Sequence, residues 1–143
     1  MAVQGMVHAL ERARQHLRPK GMLVLIQPHQ LKRPFIAITG TRKRQPIAGL
    51  VNPVFQPLIN SAMAAIQSVV DQDRFELIGT SHHQFRVHLA SLAALRRYLQ
   101  LGRRPPRFPA GGRQRLEAMW RRGPEGARIE VTEFLTIITL RAT

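Results

Sequence analysis

Histidines are the only residues in this sequence whose type and spacing suggest acid–base chemistry. Six are present, and His82, His83 and His88 form the densest group. An imidazole changes charge near neutral pH, so it can accept or donate a proton in a reaction. The group follows an apolar segment that predicts a strand, and α/β folds bind ligands at strand ends. His82 and His83 are therefore candidates to face a substrate. The alternative is that they are ordinary surface or loop histidines.

Other sites of chemistry are excluded or find no support in the residues. Cysteine is absent, which excludes disulfides, thiolate metal sites and thiol nucleophiles. The sequence contains no nucleophile elbow, phosphate-binding glycine loop, HExxH motif or spaced pair of carboxylates. A zinc ion at His82 and His83 would need acids such as Asp71, Asp73 or Glu76, and adjacent strand residues point to opposite faces. We expect no metal, and the catalytic residues are unknown.

The charge balance is the most unusual property of the sequence. Lys and Arg number 22 against 8 Asp and Glu, a formal net charge of +14, and Glu11 is the only acid before Asp71. This excess suggests a polyanion partner such as nucleic acid. The alternative is a merely solvated basic surface, produced by a coding sequence rich in arginine codons. Any polyanion binding is expected to be weak, because the arginines are spread over several elements.

Length bounds the domain organisation and the location. A chain of 143 residues corresponds to one domain, long enough to bury a core without metals or disulfides. No run approaches the ~20 apolar residues that cross a bilayer, and the N-terminus lacks the apolar core of a signal peptide. We therefore expect no membrane partner and a cytoplasmic location.

Hydrophobic periodicity predicts the elements of the N-terminal third. Apolar residues recur at steps of three and four over residues 3–17, typical of a helix that Arg-Pro-Lys-Gly at 18–21 then ends. The run Met22–Ile26 is apolar without alternation, which predicts a strand buried on both faces of a parallel sheet. Residues 28–50 are predicted to be loop, within which 35–38 form either a short strand or a packed loop segment.

The rest of the chain completes an α/β pattern. Helices are predicted over 53–70, 91–99 (with Ser91 as its cap) and 111–122, and strands over 75–79, extending as far as 89, and over 128–140. The alternation of helices and strands is an α/β layer architecture. Two of the three predicted strands are expected to be buried on both faces. The predicted helices are too few to cover both faces of such a sheet. The chain is therefore predicted to be part of a larger sheet.

The segment from Ala9 to Ile26 resembles part of the class I S-adenosylmethionine-dependent methyltransferases. In that family a helix ending in Leu-(Lys/Arg)-Pro-Gly-Gly leads into the fifth strand of a seven-stranded sheet. Here Leu-Arg-Pro-Lys-Gly at 17–21 leads into Met22–Ile26, with Lys20 where the family more often has glycine. The strand near residue 75 and the helix after it are similar to the family's sixth strand and following helix. The strand Ile129 to Leu140 is similar to the seventh, which runs antiparallel between the fifth and sixth.

This resemblance implies a partial Rossmann-like methyltransferase sheet with flanking helices, so that residues 1–143 form a single methyltransferase-like half-domain. In the family the end of the fifth strand borders the substrate pocket. Gln27 and His29 would lie there, and with His82 and His83 they are the substrate-proximal candidates. The alternative for Gln27 and His29 is that they are polar residues that simply end a strand.

The family binds its cofactor in the half that this sequence does not match. A glycine-rich turn and an acidic residue hold S-adenosylmethionine there, and no glycine cluster follows a predicted strand here. We therefore carry no cofactor-binding residue over and expect no cofactor binding by the isolated chain. The predicted function is that of a truncated methyltransferase-like protein, inactive alone. The alternative is a small basic module that binds nucleic acid or another polyanion.

The resemblance also implies a partner. The family's fourth strand pairs with its fifth, so the edge of Met22–Ile26 would be open in this chain. Open edges of apolar strands recruit other strands. We therefore expect a homodimer, or uptake of the missing N-terminal half, through this edge.

Overall fold

The computed structural model describes residues 3–40 and 43–143. Over these residues the chain forms four helices and five strands, and none of the helices is long and apolar enough to cross a membrane. The helices are α1 (Val3–Gln15), α2 (Phe55–Asp71), α3 (Leu92–Leu99) and α4 (Gly112–Arg121), and the strands are β1 (Met22–Pro28), β2 (Phe35–Thr39), β3 (Arg44–Gly49), β4 (Phe75–Leu89) and β5 (Arg128–Ala142). All four predicted helices and all three predicted strands are confirmed, and so is the mixed α/β composition.

A tight turn joins α1 to β1. The Gly21 N–H donates to the Arg18 carbonyl over 2.8 Å, and Lys20 has left-handed backbone with φ of 60°. A Cβ on Gly21 would lie 2.8 Å from the same carbonyl oxygen, so only glycine fits at this position. The helix stop predicted from Arg-Pro-Lys-Gly is confirmed, and Lys20 adopts a conformation that glycine adopts more readily.

A side-chain cap starts α3, as the sequence predicts. The Ala94 N–H donates to the Ser91 hydroxyl over 3.1 Å. This bond satisfies one of the backbone donors that the first turn of a helix leaves without a partner.

The strands form a five-stranded antiparallel sheet with β5 at its centre. β5 pairs with β1 through residues 135–141 and with β2 through residues 128–132. β4 also pairs with β5, and β3 pairs with β2. The pairings of β1, β2 and β3 are all antiparallel, so the parallel sheet expected from the apolar run Met22–Ile26 is not found, and an antiparallel sheet fits a Rossmann-like architecture poorly. The antiparallel pairing of β1 with β5 is the one that the resemblance implies.

The chain divides into two compact units, each with its own core. Unit 1 takes its described residues from 1–30, 54–83 and 135–143. Its core joins α1 and α2 to one side of the local strands, with Phe75 and Leu140 almost fully buried. Leu23 and Leu25 of β1 pack against this core. Unit 1 is therefore a pair of helices on a small sheet.

Unit 2 takes its described residues from 31–53 and 84–134. Its core joins β2, β3 and the first half of β5 to helices α3 and α4 through Leu95 and Leu116. Ile129 and Val131 are fully buried in it, whereas in unit 1 the core takes even-numbered residues of β5 such as Ile138 and Leu140. Each core therefore uses every second residue of its strands, as the pleat requires.

The prediction that Met22–Ile26 is buried on both faces is wrong. Exposure alternates along β1, and Met22, Val24 and Ile26 are 47%, 55% and 65% exposed. Leu23 and Leu25 face the helices of unit 1, and no described element of that unit covers the other face of β1. The apolar run therefore predicted the strand correctly, but that strand is partly buried on one face and exposed on the other.

The loop predicted over 28–50 is wrong over residues 44–49, which form β3. Residues 35–39 form β2, so the short strand is the correct one of the two alternatives left open for 35–38. A proline such as Pro46 normally argues against a strand, because it cannot donate a backbone hydrogen bond. It is tolerated here because β3 pairs with one strand among the described residues and because Pro46 lies where the register with β2 shifts. Thr41 and Arg42 of the basic run in this segment lie outside the described residues.

Candidate functional site

The end of β1 brings two of the four predicted site residues together in unit 1. The ring centroids of His29 and His82 lie 4.6 Å apart, with the ring planes inclined by 47°. His82 Nδ1 also lies 3.1 Å from the hydroxyl oxygen of Thr136, which is buried in β5. A buried hydroxyl therefore holds one imidazole of the pair. Two imidazoles in contact can exchange protons or hydrogen bonds with a polar group bound beside them.

The other two predicted residues have different neighbours. The Gln27 side-chain amide donates to the sulfur of Met63 in α2 over 2.9 Å. The His83 ring lies 3.0 Å from the Ser81 hydroxyl, and both side chains are exposed. Because strand residues alternate in direction, His83 does not join His82. The structure therefore groups His29 with His82 and leaves Gln27 and His83 outside that pair.

His88 belongs to unit 2, where it contacts a buried carboxylate. Glu130 of β5 is 3% exposed. Its Oε1 accepts a hydrogen bond from Arg44 Nε at 2.7 Å and lies 4.0 Å from Arg86 Nε. Its Oε2 lies 3.2 Å from His88 Nε2. The three histidines that are close in sequence therefore form no common cluster, and no group of the described residues could hold a metal ion.

The environment of Glu130 keeps it ionised. Burial raises its pKa, but hydrogen bonds from Arg44 and His88 and the charges of Arg44 and Arg86 outweigh burial and hold the pKa below its usual value. A buried carboxylate that stays charged needs such partners. Glu130 therefore serves as the anchor for two guanidinium groups.

Beside Glu130, unit 2 has an open cleft of about 450 Å³. This volume lies in the range of small-molecule sites. Among the described residues that line it there is no acid. Four of the lining residues are cations, namely Lys32, Arg33, Arg44 and Arg86. The cleft is therefore suited by charge to an anion.

Aromatic rings and a buried hydroxyl complete the lining of the cleft. Lys32 Nζ lies 5.5 Å from the ring centroid of Phe134, and Arg44 Cζ lies 5.8 Å from that of Phe35. At these distances a cation is attracted to the face of a ring. Thr132 also lines the cleft, is 4% exposed, and has no hydrogen-bond partner for its hydroxyl among the described residues. Buried hydroxyls without a partner are uncommon in native proteins.

A second polar pair lies in unit 2. The Tyr98 hydroxyl of α3 donates to Glu133 Oε1 of β5 over 3.0 Å. Burial, together with the charge of Glu133, raises the pKa of Tyr98 to about 12. Burial also raises the pKa of Glu133, although the bond from Tyr98 lowers it in part. Tyr98 therefore keeps its hydroxyl proton at neutral pH, and its hydrogen bond to Glu133 ties α3 to the sheet.

The cleft was not predicted from the sequence, although one pattern in the sequence pointed to it. Along the predicted strand over 128–140, Glu130 and Thr132 alternate with Ile129 and Val131, so a polar face was visible. Arg44 lies in a segment predicted as loop, and nothing in the sequence places it beside Glu130.

The residues of this chain do not fit the family's mode of holding S-adenosylmethionine. Such a site needs a glycine-rich connection from a strand into a helix. The described strand-to-helix connections are 50–54 before α2 and 90–91 before α3, and neither contains glycine.

Comparison with known proteins gives no identification. The chain has no significant match to a protein-family model, to a curated protein or to a solved structure.

Proposed function

We propose that this chain provides the substrate-side half of a cytoplasmic, methyltransferase-like α/β protein, and that methyl transfer requires a separate cofactor-binding segment. The observation that carries the proposal is the pairing of β5 with both β1 and β4. In the class I family the seventh strand holds this place, antiparallel between the fifth and sixth strands. The three strands therefore occur in the family's order, both along the chain and across the sheet.

The turn before β1 supports the same proposal. The family more often has glycine at the position of Lys20, and Lys20 has the left-handed backbone that glycine favours. Gly21, which matches the family, occupies a position where a Cβ would meet the Arg18 carbonyl. The backbone at Lys20 and Gly21 is of the kind that the family's glycines favour, which supports the proposal.

The place for the missing segment is the outer edge of β1. Among the described strands, β1 pairs with β5 alone. Its edge contains no charge or bulge, and Val24 and Ile26 are more than half exposed. A fourth strand from another polypeptide, or from a second copy of this chain, would pair there.

Calorimetry with S-adenosylmethionine tests the proposal. The chain alone should show no binding, whereas the chain co-expressed with a glycine-rich βαβ segment encoded directly upstream should bind the cofactor. Val24→Lys places a charge on the exposed face of β1 and should abolish binding by the co-expressed pair, while Arg97→Lys, a charge-neutral change on α3, should not. Binding to the chain alone, absence of such an upstream segment, or a co-expressed pair that binds no cofactor would contradict the proposal.

A second candidate function, polyanion binding, is favoured by unpaired arginines in unit 2. Arg96, Arg97, Arg103, Arg104 and Arg107 are exposed, and none is in an ion pair among the described residues. Counterion release predicts a slope of roughly −0.9 in log affinity against log salt per phosphate contacted on duplex DNA. Weak duplex binding with a steep negative slope supports this candidate, and binding that is insensitive to salt contradicts it.

A further inference from the structure

We propose that the cleft of unit 2 binds a small organic anion, one that carries a carboxylate or phosphate group on a flat apolar body. This inference is independent of methyl transfer. It concerns a site with its own charge, volume and wall chemistry, none of which the proposed function uses.

The guanidinium groups of the cleft are neutralised only in part by the described residues. Arg33, Arg44 and Arg86 bring three such groups to the wall, and among the described residues one carboxylate, that of Glu130, forms ion pairs with Arg44 and Arg86. A guanidinium has five N–H donors, whereas a carboxylate offers two oxygens. Arg33 is exposed and makes no ion pair among the described residues. The cleft therefore keeps donors and positive charge for a further oxyanion.

Glu130 orients these donors as well as balancing part of their charge. Its Oε1 accepts a hydrogen bond from Arg44 Nε at 2.7 Å and forms a longer ion pair with Arg86 Nε at 4.0 Å. The carboxylate is buried and is itself held by β5, so the two guanidinium groups converge on one point of the sheet. A pre-positioned pair of guanidinium groups loses less side-chain freedom when an oxyanion binds than two mobile surface arginines would.

The rest of the wall favours an apolar body on that anion. Phe35 and Phe134 line the cleft beside the cations. A flat ring can contact aromatic side chains of this kind while its oxyanion meets the guanidinium groups. Thr132 adds a hydroxyl in the wall that has no hydrogen-bond partner among the described residues. The ligand that uses all these groups is an amphiphilic anion of small size.

Calorimetry on the full chain with four probes tests the site. Phenyl phosphate and benzoate carry an oxyanion and a ring, inorganic phosphate carries the oxyanion alone, and benzyl alcohol carries the ring alone. We expect phenyl phosphate or benzoate to bind in a saturable manner and more tightly than either partial probe. The tighter of the two identifies the preferred oxyanion.

Matched variants distinguish the cleft from the general basic surface. Arg33→Gln and Arg86→Gln should each weaken binding of the preferred probe about 10-fold, because each removes a charge-assisted contact. Arg97→Gln removes the same charge from exposed α3 and should change affinity less than about 2-fold. Thermal melting of each variant shows whether it folds, and Arg33→Gln has no ion pair to lose.

Three results would overturn the proposal. The first is no saturable binding of either ring-bearing anion. The second is an equal loss of affinity in Arg33→Gln and Arg97→Gln, which would mean that the net charge alone attracts the anion. The third is binding of a single-stranded oligonucleotide with none of the small anions bound, which would identify the cleft as part of a polyanion surface.

Discussion

Units 1 and 2 differ most in the strand residues that their own helices leave uncovered. On β1 of unit 1 these residues are apolar, since Met22, Val24 and Ile26 are about half exposed or more. Around Glu130 in unit 2 they include charged side chains, since Arg44 and Arg86 form ion pairs with its carboxylate. The exposed face of β1 and the surface around Glu130 thus differ in chemistry, although each unit has a core covered by helices.

The difference shows what each uncovered surface requires. Exposed apolar strand residues lose little by contact with another polypeptide, because no charge has to be desolvated. A charged surface with an internal counterion is stable in water and recognises an oxyanion instead. This difference is consistent with the two proposals, a polypeptide partner for unit 1 and a small anionic ligand for unit 2.

The largest expected effect comes from the two sides of β1. Leu25 packs against the core of unit 1, whereas Val24 is 55% exposed. Leu25→Asp should lower the free energy of unfolding by about 3 kcal/mol or more, and Val24→Asp by about 1 kcal/mol or less. Chemical denaturation of both variants measures the contrast. Equal losses would show that both faces of β1 are buried.

A smaller effect is expected at the buried carboxylate of unit 2. Glu130→Gln should cost about 1–2 kcal/mol at neutral pH, because Arg44 and His88 lose a charged partner. Their side chains are 41% and 50% exposed, which limits the loss. Glu125→Gln removes an exposed charge without an ion pair and should change stability by less than about 0.5 kcal/mol.

The Glu130 contribution should depend on pH. Its pKa in the folded protein is lowered, so its stabilisation is present above the pKa of the unfolded chain, about 4.3. That stabilisation is lost as pH falls through the folded pKa. The difference in unfolding free energy between wild type and Glu130→Gln should therefore shrink in acid. A constant difference from neutral pH to strong acid would contradict the ionised, paired carboxylate.

A further effect should appear at high pH, at the second polar pair of unit 2. The folded pKa of Tyr98 is about 12 against an ordinary value of 10.0, so its stabilisation is full below pH 10 and lost between pH 10 and 12. Tyr98 is the only tyrosine, so phenolate absorbance reports its titration directly. The midpoint should fall by about two pH units in denaturant. An unchanged midpoint would contradict both the burial of Tyr98 and its contact with Glu133.

Local sequence patterns predicted the helices and strands of this fold better than they predicted the burial of those elements. Apolar periodicity, the Arg-Pro-Lys-Gly stop and the Ser91 cap depend on neighbours in sequence, and each prediction is confirmed. Whether a face of β1 is exposed depends on which other element packs against it. A run of five apolar residues carries no information about that packing.

The same limit applies to the candidate sites. His29 and His82 were predicted one by one, and their contact was not, because residues 53 positions apart in sequence meet only through the sheet. The cleft was missed for the same reason, since its cations come from three separate segments around Glu130. Sequence spacing identifies residues able to do chemistry, and strand pairing decides which of them meet.

Light scattering at rising salt tests most directly the central claim that β1 presents an open site for another strand. The net charge of +14 opposes association at low salt, but at physiological salt the Debye length is only ~8 Å, and strand pairing and apolar burial act at contact. Wild type should therefore become a dimer or larger assembly as salt rises, while Val24→Lys, which adds the type of charge that protects natural edge strands, should stay a monomer. A wild-type chain that remains a single monomeric species at every salt concentration would contradict the claim.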